Sequence, residues 1–147
     1  MASVSFPYYA GLPVVEVEFT HRGTADAVVR RLLVDSGFSG QSAFVLPATD
    51  EALLALGVAP VGMARGAVRG EQRRVWVVCA VQALGFRRTL MAISTDPALL
   101  PLPSGADRLA GLTFLQQFVR WGGERDADGR WAFVLAAPGP DGGEPHP

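Results

Sequence analysis

The chain has 147 residues, 49% of them apolar and 18% Lys, Arg, Asp or Glu, with a formal net charge of -1. That length suits one domain, and that balance suits a packed core rather than a disordered chain. A charge so near zero gives no sign of a general nucleic-acid or membrane-surface footprint, and no run reaches the roughly 18 apolar residues that a membrane span needs.

Residues 1–13 carry no basic leader followed by an apolar core, so they read as an N-terminal extension and the expected location is cytoplasmic. Val15, Val17 and Phe19 alternate with Glu16, Glu18 and Thr20. That period of two predicts a strand with one wet face. His21-Arg22-Gly23-Thr24-Ala25-Asp26 is a connection, with Gly23 available for the turn. Residues 27–34 form a second strand, paired with the first as a hairpin, and it delivers Asp35. Residues 38–47 are a loop and a short strand over 42–46. Thr49 or Asp50 can cap a short helix through Leu56, with Gly57 at its C′ position.

Gly57, Gly62, Gly66 and Gly70 make residues 58–70 a region of bends and hairpin tips. Residues 75–81 are β-branched and aromatic and give the strongest strand expectation. The single cysteine, Cys79, excludes an intrachain disulfide scaffold and reads as a buried thiol in that strand. Leu84-Gly85 breaks the strand, another follows over 86–93, and the Pro-bearing stretch 96–107 is loop. Residues 112–118 read as a short helix, with Leu112, Leu115 and either Phe118 or Val119 on one face. A turn over 126–129 leads to a last strand over 131–135 and a Pro/Gly-rich flexible tail, 137–147.

The two histidines, His21 and His146, stand in no cluster of zinc or iron type. The arginine pairs Arg30-Arg31, Arg73-Arg74 and Arg87-Arg88 read as solvated strand positions, and Trp76, Trp121 and Trp131 as core or interface groups. Many short strands with two short helices give a mainly β domain.

The segment Leu32-Leu33-Val34-Asp35-Ser36-Gly37 ends an apolar run in a carboxylate, a small hydroxyl residue and a glycine. Val34-Asp35-Ser36-Gly37 resembles the apolar-Asp-Thr/Ser-Gly signature of the retropepsin-like aspartic proteases, in particular their small bacterial and cellular members. Leu109-Ala110-Gly111 is similar to the family's later apolar-apolar-Gly element. The stretch from Leu112 to Phe118 is similar to its short helix with a Leu-x-x-Phe ending. The resemblance spans residues 14–136. Two departures stand out: Phe38 where the family usually has Ala, and Ala110 where it usually has Ile or Leu. The Phe38 ring either narrows the cleft or fills a structural gap.

The resemblance implies a retropepsin-like acid protease fold, a closed, small barrel-like domain with one or two short helices. It implies an aspartic endopeptidase that hydrolyses peptide bonds in extended substrates as a homodimer, with one catalytic Asp35 per chain. Ser36, Gly37 and Gly111 would support the catalytic loop. Phe38, Ala64, Gly66, Ala67 and Val68 would line the substrate cleft or form a flap over it. The partners implied are a second copy and a peptide or protein substrate. No metal, organic cofactor, nucleic acid or membrane is implied.

Two carboxyls held close together cannot both ionise cheaply, so one can activate a water while the other donates a proton. A twofold axis is the simplest way to bring two copies of one residue together. The bland reading of Asp35 is an ordinary turn residue, since Asp, Ser and Gly are all turn formers. The functional alternative is a dimeric peptide-binding or scaffolding module of the same fold, weak or inactive in proteolysis. It rests on a Phe38 ring that would fill the cleft. A protease acting only on its own chain or one partner, and an unrelated β domain, complete the alternatives.

Overall fold

The computed structural model describes residues 2–58, 62–64, 70–95 and 107–138, with backbone alone for 62–64 and 70–72. The chain starts with a strand where the sequence suggested only an extension. β1 (Ala2–Pro7) alternates between half-buried and exposed residues. Beyond it, Tyr9 and Leu12 exchange backbone hydrogen bonds of 3.0 Å across a two-residue turn. Ala10 and Gly11 both take positive φ there, 52° and 78°.

β2 (Val14–Thr20) buries Val15, Val17 and Phe19 and turns Glu16 to water, as its alternation predicts. It pairs antiparallel with β3 (Ala27–Asp35), from Val14 opposite Leu33 to Thr20 opposite Ala27. The connecting turn closes through the His21 amide on the Asp26 carbonyl, 2.7 Å. Its left-handed residue is Ala25, at φ 62°, and not Gly23.

β4 (Phe44–Pro47) is buried throughout and leads into α1 (Ala48–Leu54). The expected side-chain cap is not there. Pro47 occupies the N-cap position with no side-chain hydrogen bond, and Asp50 is buried instead. Gly57 is not a helix C′ residue but part of β5 (Gly57–Val58). β6 (Gly62–Ala64) pairs antiparallel with the start of β7 (Gly70–Val81), Ala64 opposite Gly70, so the arms of the expected glycine-bearing hairpin form. The hairpin tip, with Gly66, Ala67 and Val68, lies outside the described residues, as do the loop over 96–106 and the tail over 139–147.

A single 3-10 turn (Gln82–Leu84) closes on Gly85 in the left-handed region and reverses the chain into β8 (Phe86–Thr95). β9 (Leu109–Gly111) is short and wholly buried. α2 (Leu112–Leu115) is one turn long and ends three residues before the expected end. Its buried residues are Phe114 and Leu115, followed by Phe118 in the next turn, while Val119 is exposed. β10 (Arg120–Arg125) was not legible, because glycines and charges fill it. β11 (Trp131–Ala137) is buried from Ala132 onward.

Six strands form a closed ring in the order β2-β3-β9-β4-β8-β7, joined by β2–β7 pairs at Glu18–Ala80 and Phe19–Cys79. A separate three-stranded sheet, β1-β11-β10, covers the ring. Phe133, Leu135 and Ala137 of β11 enter the main core, and Val4 and Phe6 of β1 pack against it. Phe19, Phe44, Phe86, Phe114 and Phe118 stack at its centre, with neighbouring ring centroids 4.7–6.1 Å apart. Such pairs add roughly 0.5–1.5 kcal/mol each beyond area burial. Trp76, Trp121 and Trp131 are exposed and are not core residues. No helix among the described residues is long and apolar enough to cross a membrane.

Candidate active site

Three strands meet where Asp35 stands. β9 is wedged between β3, which runs parallel to it, and β4, which runs antiparallel. Asp35 lies directly opposite Gly111, with Val34 opposite Ala110 and Leu33 opposite Leu109. The loop from Ser36 to Ala43 then crosses the end of β9. It is pinned there by the Gly111 amide on the Ala43 carbonyl (2.9 Å) and the Leu112 amide on the Phe38 carbonyl (2.8 Å). The Thr113 hydroxyl adds a bond to the Gly40 carbonyl.

Within the loop, Asp35 is exposed and its Oδ1 accepts the Gly37 N–H at 3.0 Å. The Phe38 amide donates to the Asp35 carbonyl at 3.1 Å, closing a turn. The carboxylate is therefore held by its own backbone at one oxygen while it faces outward. Ser36 is exposed, and its hydroxyl bonds to no other described residue.

Gly111 is fully enclosed. A Cβ there would stand 2.3 Å from Phe38 Cδ2 and 2.6 Å from the Phe38 carbonyl oxygen. Only glycine lets the loop lie so close to β9. The Phe38 ring is half-buried and packs on a small second core of Leu33, Val45, Ile93 and Leu109, together with Leu12. The ring fills space beneath the loop, because Gly111 has no side chain to do so. The backbone of Ala64 belongs to one hairpin arm.

Period two places Arg31, Leu33 and Asp35 on one face of β3. Beside that row, Tyr9, Leu12, Val14 and Leu33 line a cavity of about 250 Å³ with Arg31 and Arg108. The Arg31 guanidinium lies 4.3 Å over the Tyr9 ring.

On the opposite face of β3 is a group the sequence reading missed. Arg30 is not a solvated strand position: its Nε donates to Asp50 Oδ1 at 3.1 Å. Arg108 grips the same carboxylate through Nε on Oδ2 (2.6 Å) and Nη2 on Oδ1 (3.1 Å). Asp50 is only 1% exposed. The hydrogen bond to Asp50 holds the Arg108 pKa above the ordinary arginine value, outweighing the lowering by burial. The available signal was parity, since Arg30 shares its strand face with Val28, Leu32 and Val34. Among the described residues no group of His, Cys, Asp and Glu could hold a metal ion.

No model of a protein family matches this sequence, and no curated protein matches it. Among solved structures, the chain is similar to a retropepsin-like aspartic protease from Rickettsia conorii. The two share 14% sequence identity with a TM-score of 0.57, over 90% of this chain and 89% of that one. The chain has the retropepsin-like fold.

Proposed function

We propose that this chain is half of an aspartic endopeptidase, completed by a second copy. The observation that carries the reading is the setting of Asp35. It is exposed, ends a barrel strand, is held by the Gly37 amide, and lies opposite a glycine in a retropepsin-like fold. An ordinary turn aspartate also accepts a nearby amide, but it needs neither the buried glycine beneath it nor the loop pinned across β9.

One Asp35 cannot run the reaction alone. Two copies about a twofold axis would bring two Asp35 side chains together, sharing one proton. The ionised carboxylate takes a proton from a water, whose oxygen attacks the scissile carbonyl carbon. The protonated carboxyl gives its proton to the carbonyl oxygen, forming a neutral tetrahedral gem-diol. A proton then passes to the amide nitrogen, the C–N bond breaks, and an amine and a carboxylic acid leave. Fixed backbone donors such as the Gly37 N–H stabilise the carboxylate without reorganising. The Ser36 hydroxyl is free to bond across the dimer. The β6–β7 hairpin would close over an extended peptide and exclude water. The chemistry calls on no metal or organic cofactor.

Support for hydrolysis over binding alone comes from Phe38, whose ring packs with the second core. The test is cleavage of a peptide library from acidic to neutral pH, with Asp35→Asn as the matched control. We expect site-selective cuts that vanish in a folded, dimeric Asp35→Asn protein. No cleavage by a well-folded wild-type dimer would sink the general peptidase reading.

A further inference from the structure

Asp50 makes three hydrogen bonds to guanidinium groups from two separated parts of the chain. Arg30 sits on β3, five residues before Asp35. Arg108 precedes β9 directly, and its carbonyl accepts the Leu33 amide at 3.0 Å. One buried carboxylate on α1 therefore ties together the two strands that carry Asp35 and Gly111. It does so next to the place where their pairing begins.

That pairing is slight. The parallel ladder between β3 and β9 has three residue pairs, Leu33–Leu109, Val34–Ala110 and Asp35–Gly111. Parallel pairing is somewhat weaker per residue than antiparallel, and a slip of one residue would reverse every side chain. Here a slip would also set Ala110 or Leu112 against the Phe38 loop in place of Gly111, where even a Cβ collides. A buried charge cluster is a poor source of net stability, because desolvation offsets most of the attraction. A geometric role fits it better, since a planar guanidinium with two fixed bonds to one carboxylate sets both distance and direction.

We infer that Asp50 is a positioning residue: through Arg30 and Arg108 it sets the register of β3 on β9 and so holds the Asp35 loop over Gly111. Its catalytic consequence rests on the peptidase reading above, but its structural consequence does not.

The test uses the full chain and Asp50→Asn, with two readouts. The first is amide hydrogen exchange at Leu33, Gly111 and Leu112, compared with Phe133 and Leu135 in β11. We expect about tenfold faster exchange at the first three, with the β11 amides within about twofold of wild type. The second is peptide cleavage, where kcat should fall about tenfold with KM little changed. If Asp50→Asn does not fold, Arg30→Gln removes one of the three bonds and takes the same two measurements. Equal acceleration in both regions, no acceleration, or unchanged kcat beside the expected exchange pattern would each overturn the inference. A wild-type protein that cleaves nothing defeats the peptidase reading instead, and the exchange pattern then decides the role of Asp50 alone.

Discussion

Gly111 and Phe38 form a matched pair. A methyl group at Gly111 meets both a ring carbon and a backbone oxygen of Phe38. A ring can turn aside, but the carbonyl oxygen accepts the Leu112 amide and is fixed. Gly111→Ala should therefore destabilise the fold by about 2–3 kcal/mol, read from urea unfolding. Adding Phe38→Ala should recover only part of that loss. Full recovery would mean that the ring alone sets the limit. Cys79 gives a second residue-scale prediction. Its thiol is fully buried in the barrel, its Sγ lies 3.5 Å from the Arg88 carbonyl, and burial pushes its pKa up from 9.0 to about 12. The native protein keeps the proton in the range where the unfolded chain gives it up. The stabilising contribution is thus complete below the unfolded pKa and is lost as pH rises from about 9 toward 12. Wild-type stability should fall across that range more steeply than that of Cys79→Ala. The native thiol should also resist alkylation at neutral pH and react once urea unfolds the chain.

At the scale of elements, β10 shows how pairing overrides local preference, while β1 carries its own alternation of Ala2, Val4 and Phe6 with Ser3 and Ser5. Each lies against one edge of β11, from Ala2 opposite Ala137 and from Arg120 opposite Ala136. β10 contains Gly122 and Gly123 between charged residues, a composition poor in intrinsic strand preference. Gly122 takes φ 153°, where a side chain is strained, and Gly123 leaves room for the Tyr8 hydroxyl. Deleting residues 1–7 would strip one edge of β11 and uncover the main core beneath Val4 and Phe6. We expect a loss of about 3 kcal/mol or more, measured as a lowered urea midpoint. An unchanged midpoint would show that β1 is dispensable. The α2 region teaches a related lesson. Spacing at three and four residues put Leu112, Leu115 and either Phe118 or Val119 on one face. Leu115 and Phe118 are buried as that spacing has it, but the helix stops after one turn, Leu112 is only half-buried and Phe114 is buried with them. A single turn does not impose a helical face, and the aromatic core around Phe44 and Phe86 selects the residues instead.

For the whole molecule, the closed ring places Asp35 exposed at the end of one of its strands, and the proposed chemistry needs a second copy. This makes activity a property of the pair. Mixing equal amounts of wild type and Asp35→Asn, and letting the chains exchange, should leave about half the activity per wild-type chain, because only pairs of two wild-type chains cleave. Undiminished activity per wild-type chain would mean that one chain suffices. Activity should also fall faster than concentration on dilution, as mass action separates the pair.

The sequence by itself determined the local periodicities and the chemistry-bearing turn. Alternation placed β2, closeness along the chain placed β3 beside it as a hairpin, β-branched residues placed β7, and Asp35-Ser36-Gly37 followed an apolar run with no partner needed to reveal it. Those features are encoded in neighbours a few residues apart. Tertiary structure decided the rest, because the causes are distant in the chain. β10 exists through its edge on β11. Trp76, Trp121 and Trp131 are exposed in the chain and are not core residues, one of the two places the sequence reading offered them. Asp50 read as a helix cap because local rules reward it there, but two arginines from β3 and the entry to β9 claim its carboxylate. Burial of that charge becomes tolerable only when α1, β3 and β9 are assembled, and no local pattern of residues records that meeting.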